Sequence, residues 1–452
     1  MASVDRDRLA ALLAAEYATH QARTPRSAEL FAEADHLFGR VPMTWMNEWA
    51  GGYPVYLASA HGASIRDVDG NDYIDFALGD TGAMAGHSPT ATVEAVTRRI
   101  GSAGGITTML PTQDAEWVGA ELTRRFGLPL WSFSLTATDA NRWAIRLARL
   151  VTGRPKVAVF SYCYHGSVDE TFAVLAADGS TVLRPGSVGE PVPIQETTVA
   201  AEFNDLASVE RALAAGDVAV LVTEPALTNI GIVLPEPGFL EGVRELTRRY
   251  GTLLLIDETH TLSAGPGGAT AAWGLEPDIL VVGKSIGGGV PTGAYGITGA
   301  IAEAVGSHPE ADLTDVGGIG GTLAGNALAC AAMRATLEQV LTDDAFTAMT
   351  ALATRFTAGV QEAIARHGMD WSVTQLGART EYRFADPAPT SGTAAAAAGD
   401  KDLEDYLHLY CQNRGLLITP FHNMALMCPA TTAADVDAHT AVFDAAVGSL
   451  SG

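Results

Sequence analysis

Four runs of apolar residues, each closed by a polar one, set the frame of this chain. Val157-Ala158-Val159-Phe160, Val218-Ala219-Val220-Leu221-Val222, Leu253-Leu254-Leu255-Ile256 and Ile279-Leu280-Val281-Val282 do not alternate apolar with polar positions. Such runs predict strands buried on both faces, as in a parallel sheet covered by helices. Between them the period changes. Leu240 to Tyr250 predicts a helix, and Trp143, Ala144, Leu147 and Leu150 make a helical stripe ended by Gly153 and Pro155. Buried strands alternating with helices predict an α/β fold with ligands at the carboxyl ends of the strands.

The flanks read differently. An amphipathic helix is expected through about Ala18. Tyr53–Leu57, Ala63–Val68 and Asp72–Phe76 then predict short strands around turns at His61-Gly62 and Asp69-Gly70-Asn71, a piece too small to stand alone. Beyond the loop Gly317–Thr322, helices are expected over Asn326–Leu341, Asp344–His367 and Asp402–Asn413. Strands at Thr380–Phe384 and Leu416–Ile418, and a final helix opened by Thr432 with Asp435, complete a smaller α+β unit. The alanine-rich stretch Pro387 to Gly399 is expected to be a mobile loop.

Polar residues gather where the buried strands end: Tyr164, Glu224, Asp257 and Lys284. The chain has only three lysines, Lys156, Lys284 and Lys401. An amine in dry surroundings must pair its charge or lose it, and the neutral form is nucleophilic. An imine-forming amine and a buried anion are the minimal equipment for pyridoxal phosphate, whose ring the anion keeps protonated. The plain alternative is a snorkelling lysine with a capping aspartate in the next loop. Thr136-Ala137-Thr138 opens a helix, where free amides and the helix dipole make a phosphate site; an ordinary threonine cap is the alternative.

Charge and cysteine usage narrow the class. A formal net charge of −24 argues against nucleic acid and anionic membranes as partners. The four cysteines, Cys163, Cys330, Cys411 and Cys428, have no Cys-x-x-Cys spacing, so no metal site is indicated and a reducing, cytoplasmic setting is expected. No apolar stretch is long enough to predict a membrane span.

Taken together, these stretches resemble the class III (ω-type) aminotransferases of pyridoxal-phosphate fold type I, the aspartate aminotransferase-like fold. The nearest subgroups are the glutamate-1-semialdehyde aminomutases and the β-amino-acid aminotransferases. The family's successive motifs read here Thr136-Ala137-Thr138-Asp139, Tyr164-His165-Gly166, Glu224-Pro225, Asp257-Glu258-Thr259, Lys284 and Gly321-Thr322. The resemblance implies a large cofactor-binding domain over 61–324 with a mostly parallel seven-stranded sheet. It also implies a small α+β domain over 325–452 and an N-terminal segment, 1–60, packed with that domain. Lys284 would hold the cofactor and shuttle a proton, Asp257 would pair with the ring nitrogen, and Tyr164 would stack on the ring. Residues 136–138 would cradle the phosphate, with Thr322 reaching the phosphate of a second subunit, so a homodimer with shared active sites is expected. His165, Glu224 and Thr259 occupy further cofactor-side positions. The activity implied is amino transfer between an amine or amino acid and a keto or aldehyde acceptor. An aminomutase or a racemase/epimerase is the alternative on the same machinery.

Departures from the family pattern bear on the substrate. Ala137 replaces a glycine, Thr259 a valine, and His260 follows it. Neither expected carboxylate-binding arginine is matched; Arg40, Arg379 and Arg383 are candidates, with surface salt bridging as their alternative fate. Trp45, Met46 and Phe421, with His422, suggest a wall suited to an apolar group.

Overall fold

The computed structural model describes residues 4–189, 192–308 and 321–451. Contacts divide the chain into two compact units. One comprises Met1–Pro89, Asp344–Ala388 and Ala398–Gly452; the other comprises Thr90–Asp343 and Pro389–Ala397.

Among the described residues of the second unit, seven strands form one sheet. Their order is Leu130–Ser134, Gly293–Ile297, Ile279–Gly283, Leu253–Asp257, Val218–Thr223, Lys156–Phe160, Thr198–Ala201. The four runs without alternation lie side by side in its middle, joined in parallel. Gly293–Ile297 runs antiparallel to both of its neighbours. Every residue of Val218–Thr223 and of Ile279–Gly283 is buried, as two-sided coverage requires. Phe203 meets Phe160 and Phe239 edge-to-face and Phe160 lies tilted against Phe239, with centroids 4.8 to 5.8 Å apart. The helix Ala137–Thr152 lies against this sheet, its buried stripe running through Ala140, Ala144, Ile145 and Ala148. Thr136 caps its start by accepting from the Asp139 amide, and Gly153 ends it in the left-handed region.

In the first unit, Leu57–His61, Ser64–Asp67, Asp72–Asp75 and Leu416–Leu417 form one sheet of the described residues. Ser372–Leu376, Arg379–Arg383 and Met424–Leu426 form another. The helix Arg6–Arg23 packs on the helix Lys401–Gln412. Glu16 ties the two regions together, accepting from Asn413 Nδ2 at 2.7 Å and from Arg414 Nη2 at 3.0 Å. Leu78, Gly79, Asp80 and Thr81 all have positive φ, from 43 to 79°, a left-handed turn in which three of the four residues carry a side chain.

Several expectations are corrected. The unit boundaries fall after residues 89 and 343 instead of 60 and 324. Residues 61–89 belong to the first unit, where Ser64–Asp67 and Asp72–Asp75 join its four-stranded sheet, whereas the helix Ala327–Gln339 packs on Thr90–Arg98 and Gln113–Phe126. The strand expected at Tyr53–Leu57 is displaced to Leu57–His61, because Pro54 has no amide to give a ladder. The alanine-rich stretch contains a short helix, Gly392–Ala397, docked within the second unit: Glu202 accepts from the Gly392 amide at 2.9 Å, and Ala395 is buried. Arg379 and Arg383 are buried, not surface groups, because their strand is the middle one of its sheet; Arg379 donates to Thr81. Of the expected glycine loop, residues 317–320 lie outside the described residues.

Candidate active site

The site is built where two neighbouring strands of the large sheet end. Asp257 closes Leu253–Asp257, and Lys284 follows Ile279–Gly283 directly. The Glu258 amide donates to Val281 O at 2.8 Å, holding the two ends in register just past the ladder. Lys284 takes a left-handed backbone, φ 51°, as the first residue of a tight 3₁₀ turn, Lys284–Gly287.

Asp257 is 3% exposed and bound by three groups of its own unit. Its Oδ2 lies 3.0 Å from His165 Nδ1 and accepts from Asn141 Nδ2 at 2.8 Å, while Oδ1 accepts from the Thr259 amide at 3.0 Å. Burial pushes the Asp257 carboxyl up. The His165 hydrogen bond and charge, with the bonds from Thr259 and Asn141, outweigh it and hold the group below the usual carboxylate range. Burial alone would neutralise His165, yet Cys163 and Asp257 beside it carry the imidazole well above its ordinary range. A buried anion is thus fixed at a strand end, with lone pairs to spare.

Around it, Glu224 is buried and accepts from Thr228 through both oxygens; burial raises its carboxyl to about 7. Glu258 is also buried but serves the local chain, accepting from Thr261 Oγ1 at 2.5 Å and from the Ala269 amide at 3.2 Å. Lys284 Nζ lies 2.8 Å from His260 Nε2.

The other end of the site is the start of Ala137–Thr152. Thr138 Oγ1 accepts from the Ser167 amide at 3.2 Å. Gly166, φ 79°, runs so close that an added Cβ would overlap Thr138 Oγ1 and lie 2.8 Å from Thr138 Cα. Gly283 approaches from the other side, where a Cβ would stand 3.0 Å from that of Ala137. Ala137 itself takes ordinary helical backbone, so a methyl costs nothing there.

The structure therefore brings Thr136, Ala137, Thr138, Tyr164, His165, Glu224, Asp257, Thr259 and Lys284 into the second unit. Thr322 is in the same unit and exposed. Trp45, Phe421 and His422 belong to the first unit; Trp45 and Phe421 meet there edge-on at 5.1 Å, and His422 faces Glu381 at 3.5 Å. Asn141 went unassigned in the sequence because it reads as one polar residue on an amphipathic helix. His260 was visible only as an unusual neighbour of the Asp257-Glu258-Thr259 motif.

These residues fit pyridoxal phosphate. The side-chain oxygens of Thr259, two residues after Asp257, and of Ser285, next to Lys284, are buried without a hydrogen-bond partner among the described residues. Donor-rich helix start, buried acid and primary amine match the phosphate, ring nitrogen and aldehyde of that molecule.

Comparison with known proteins agrees. Residues 45–446 match the model of the family described as aminotransferase class-III. The glutamate-1-semialdehyde 2,1-aminomutase of Chloroflexus aggregans is 34% identical over 398 residues, 86% of this chain and 89% of that protein. A crystal structure of a glutamate-1-semialdehyde-aminomutase from Pseudomonas aeruginosa PAO1 superposes with a TM-score of 0.96 at 47% identity, covering 99% of each chain. A lysine-to-alanine variant of the Pseudomonas enzyme has been solved in complex with PMP. An ω-transaminase from Sphaerobacter thermophilus gives a TM-score of 0.85 at 29% identity, over 94% of this chain and 98% of that one.

Proposed function

Because this chain belongs to the class-III aminotransferase family, which depends on pyridoxal phosphate, we propose that it is an aminomutase of the glutamate-1-semialdehyde type, moving an amino group within one small amino-oxo compound. The observation that carries the reading is the anion of Asp257, fixed by His165 and Asn141 at one strand end, with the amine of Lys284 at the end of the next. Similarity to named aminomutases over nearly the whole length favours the intramolecular reaction.

In this reading Asp257 pairs with the ring nitrogen and keeps it protonated, and His165 and Asn141 keep Asp257 ionised and aimed. Thr136, Ala137 and Thr138 offer the helix-start amides and hydroxyls to the phosphate, Tyr164 covers the ring, and Glu224 and Thr259 complete the lining. Bound there, pyridoxal phosphate supplies the electron sink that stabilises a carbanion next to nitrogen. Lys284 takes and returns the proton at the reacting carbon, a contribution of roughly 10²–10⁴-fold. Thr322, exposed in this chain, serves the phosphate of a second copy, which makes the working form a homodimer. Exposed Met109, Leu110 and Leu323 on the same unit support such a contact. The free, buried cysteines suit a cytoplasmic setting.

A second reading is an intermolecular aminotransferase. The aromatic contact of Trp45 with Phe421 favours it, as a wall for an apolar substrate together with His422. One experiment separates the two. Enzyme loaded with pyridoxal phosphate is given glutamate-1-semialdehyde alone, then a panel of amines with and without a keto acid. An isomer of unchanged mass without an acceptor supports the aminomutase. Amine loss matched one-for-one by keto-acid consumption supports the aminotransferase, and the absence of both outcomes overturns both readings. If Phe421→Ala leaves the ranking of substrates unchanged, the apolar-wall assignment fails.

A further inference from the structure

We propose that His260 is a second proton-handling residue of this site, accepting the hydrogen bond of the Lys284 amine and taking the proton the amine must shed before it can bond to carbon. The inference rests on the pyridoxal-phosphate reading and adds a catalytic residue to it.

The geometry is specific. His260 Nε2 stands 2.8 Å from Lys284 Nζ, within hydrogen-bond range. Both partners are held by rigid backbone. His260 follows Asp257-Glu258-Thr259, where the Thr259 amide is bound to Asp257, the Leu262 amide donates to Glu258 O at 2.9 Å, and the Glu258 carboxylate is tied to Thr261 and Ala269. Lys284 sits in its own tight turn. A contact made by two fixed elements is a feature of the site.

The other groups nearby are committed elsewhere. Asp257 is occupied by His165, Asn141 and the Thr259 amide, Glu224 by Thr228, and Glu258 by Thr261 and Ala269. His165 is 1% exposed, whereas His260 is half-buried. A neutral imidazole accepts at one nitrogen and releases from the other, which a carboxylate does less readily near neutral pH.

The step balances as follows. The Lys284 ammonium passes one proton to His260 and becomes a neutral amine. Its lone pair then forms a C–N bond to the carbonyl carbon of an aldehyde as one N–H proton moves to the carbonyl oxygen; that oxygen takes the second proton back from the imidazole and departs as water, leaving a C=N bond whose nitrogen keeps its remaining hydrogen.

The test is the rate at which cofactor-free protein takes up pyridoxal phosphate at Lys284, read by borohydride trapping and mass spectrometry of the Lys284 peptide. Wild type is compared with His260→Ala and His260→Gln, each checked for an unchanged melting temperature. Loading is expected to slow at least ~10-fold in His260→Ala, to recover when imidazole is added to the buffer, and to stay slow in His260→Gln, which can accept a hydrogen bond but cannot carry a proton. Equal loading in wild type and His260→Ala overturns the inference, as does full recovery in His260→Gln, which would make the residue a positioning group. Failure of wild type itself to load at Lys284 would instead overturn the pyridoxal-phosphate reading.

Discussion

Replacing Gly166 would disturb the helix start that is proposed to hold the phosphate. With φ at 79° and Thr138 in the way of any Cβ, Gly166→Ala must displace the start of Ala137–Thr152. A fall in pyridoxal-phosphate affinity of at least ~10-fold, about 1.4 kcal/mol, is expected by fluorescence titration, with the melting temperature of the cofactor-free protein lowered as well. Glu224 gives a prediction with a sign. Its folded-state carboxyl is raised from 4.5 to about 7, so the folded state keeps its proton while the unfolded chain loses it. Stability is therefore greatest below about pH 4.5 on this account and is lost as pH rises to about 7, by up to about 1.4 kcal/mol per pH unit. Glu224→Gln should remove that slope, seen as urea midpoints that no longer fall between pH 5 and 7.

At the scale of elements, the final helix, Ala433–Ser451, carries His439 between Phe356 and Phe443, stacked at 4.1 Å on Phe356 and 5.8 Å from Phe443. Neither of its ring nitrogens has a hydrogen-bond partner among the described residues, and burial lowers its pKa to about 3. The sign is opposite to that of Glu224: stability is full above the ordinary value of 6.5 and drains as pH falls toward 3, because only the unfolded chain takes up the proton. His439→Leu should flatten that acid limb, measured by circular dichroism melts at pH 7 and pH 5. Elements also mark how far the sequence can be read. The buried strands were legible because runs such as Val218–Val222 have no period to misread, and they delivered Asp257 and Lys284 to neighbouring ends. The strand Gly293–Ile297 escaped because its two glycines look like a turn, and only the sheet around it makes it a strand. The helix Gly392–Ala397 escaped because its anchor, Glu202, is distant in sequence. The burial of Arg379 was illegible for the same reason: charge predicts surface unless the middle position of its strand is known.

At the scale of the whole molecule, one carboxylate joins segments far apart in sequence. Glu16, on the first helix, accepts from Asn413 and Arg414 more than 390 residues away in sequence. Glu16→Ala leaves the Asn413 amide without this acceptor and should cost roughly 2 kcal/mol, read as a lower urea midpoint with loading at Lys284 unaffected. The proposed homodimer carries its own test. Lys284→Ala and Thr322→Ala subunits, each inactive, should regain part of the activity when mixed and refolded together if each site draws on both copies. Light scattering should give twice the mass of one chain, and a monomeric active enzyme would defeat the shared-site arrangement.

The left-handed backbone at Lys284 reaches beyond chemistry into descent. A lysine there pays about 1 kcal/mol of backbone strain that glycine escapes altogether and asparagine largely escapes. A descendant released from the need for an amine would gain stability by exchanging it, so glycine or asparagine in this turn would be the scar of a lineage that kept the architecture and retired the reaction.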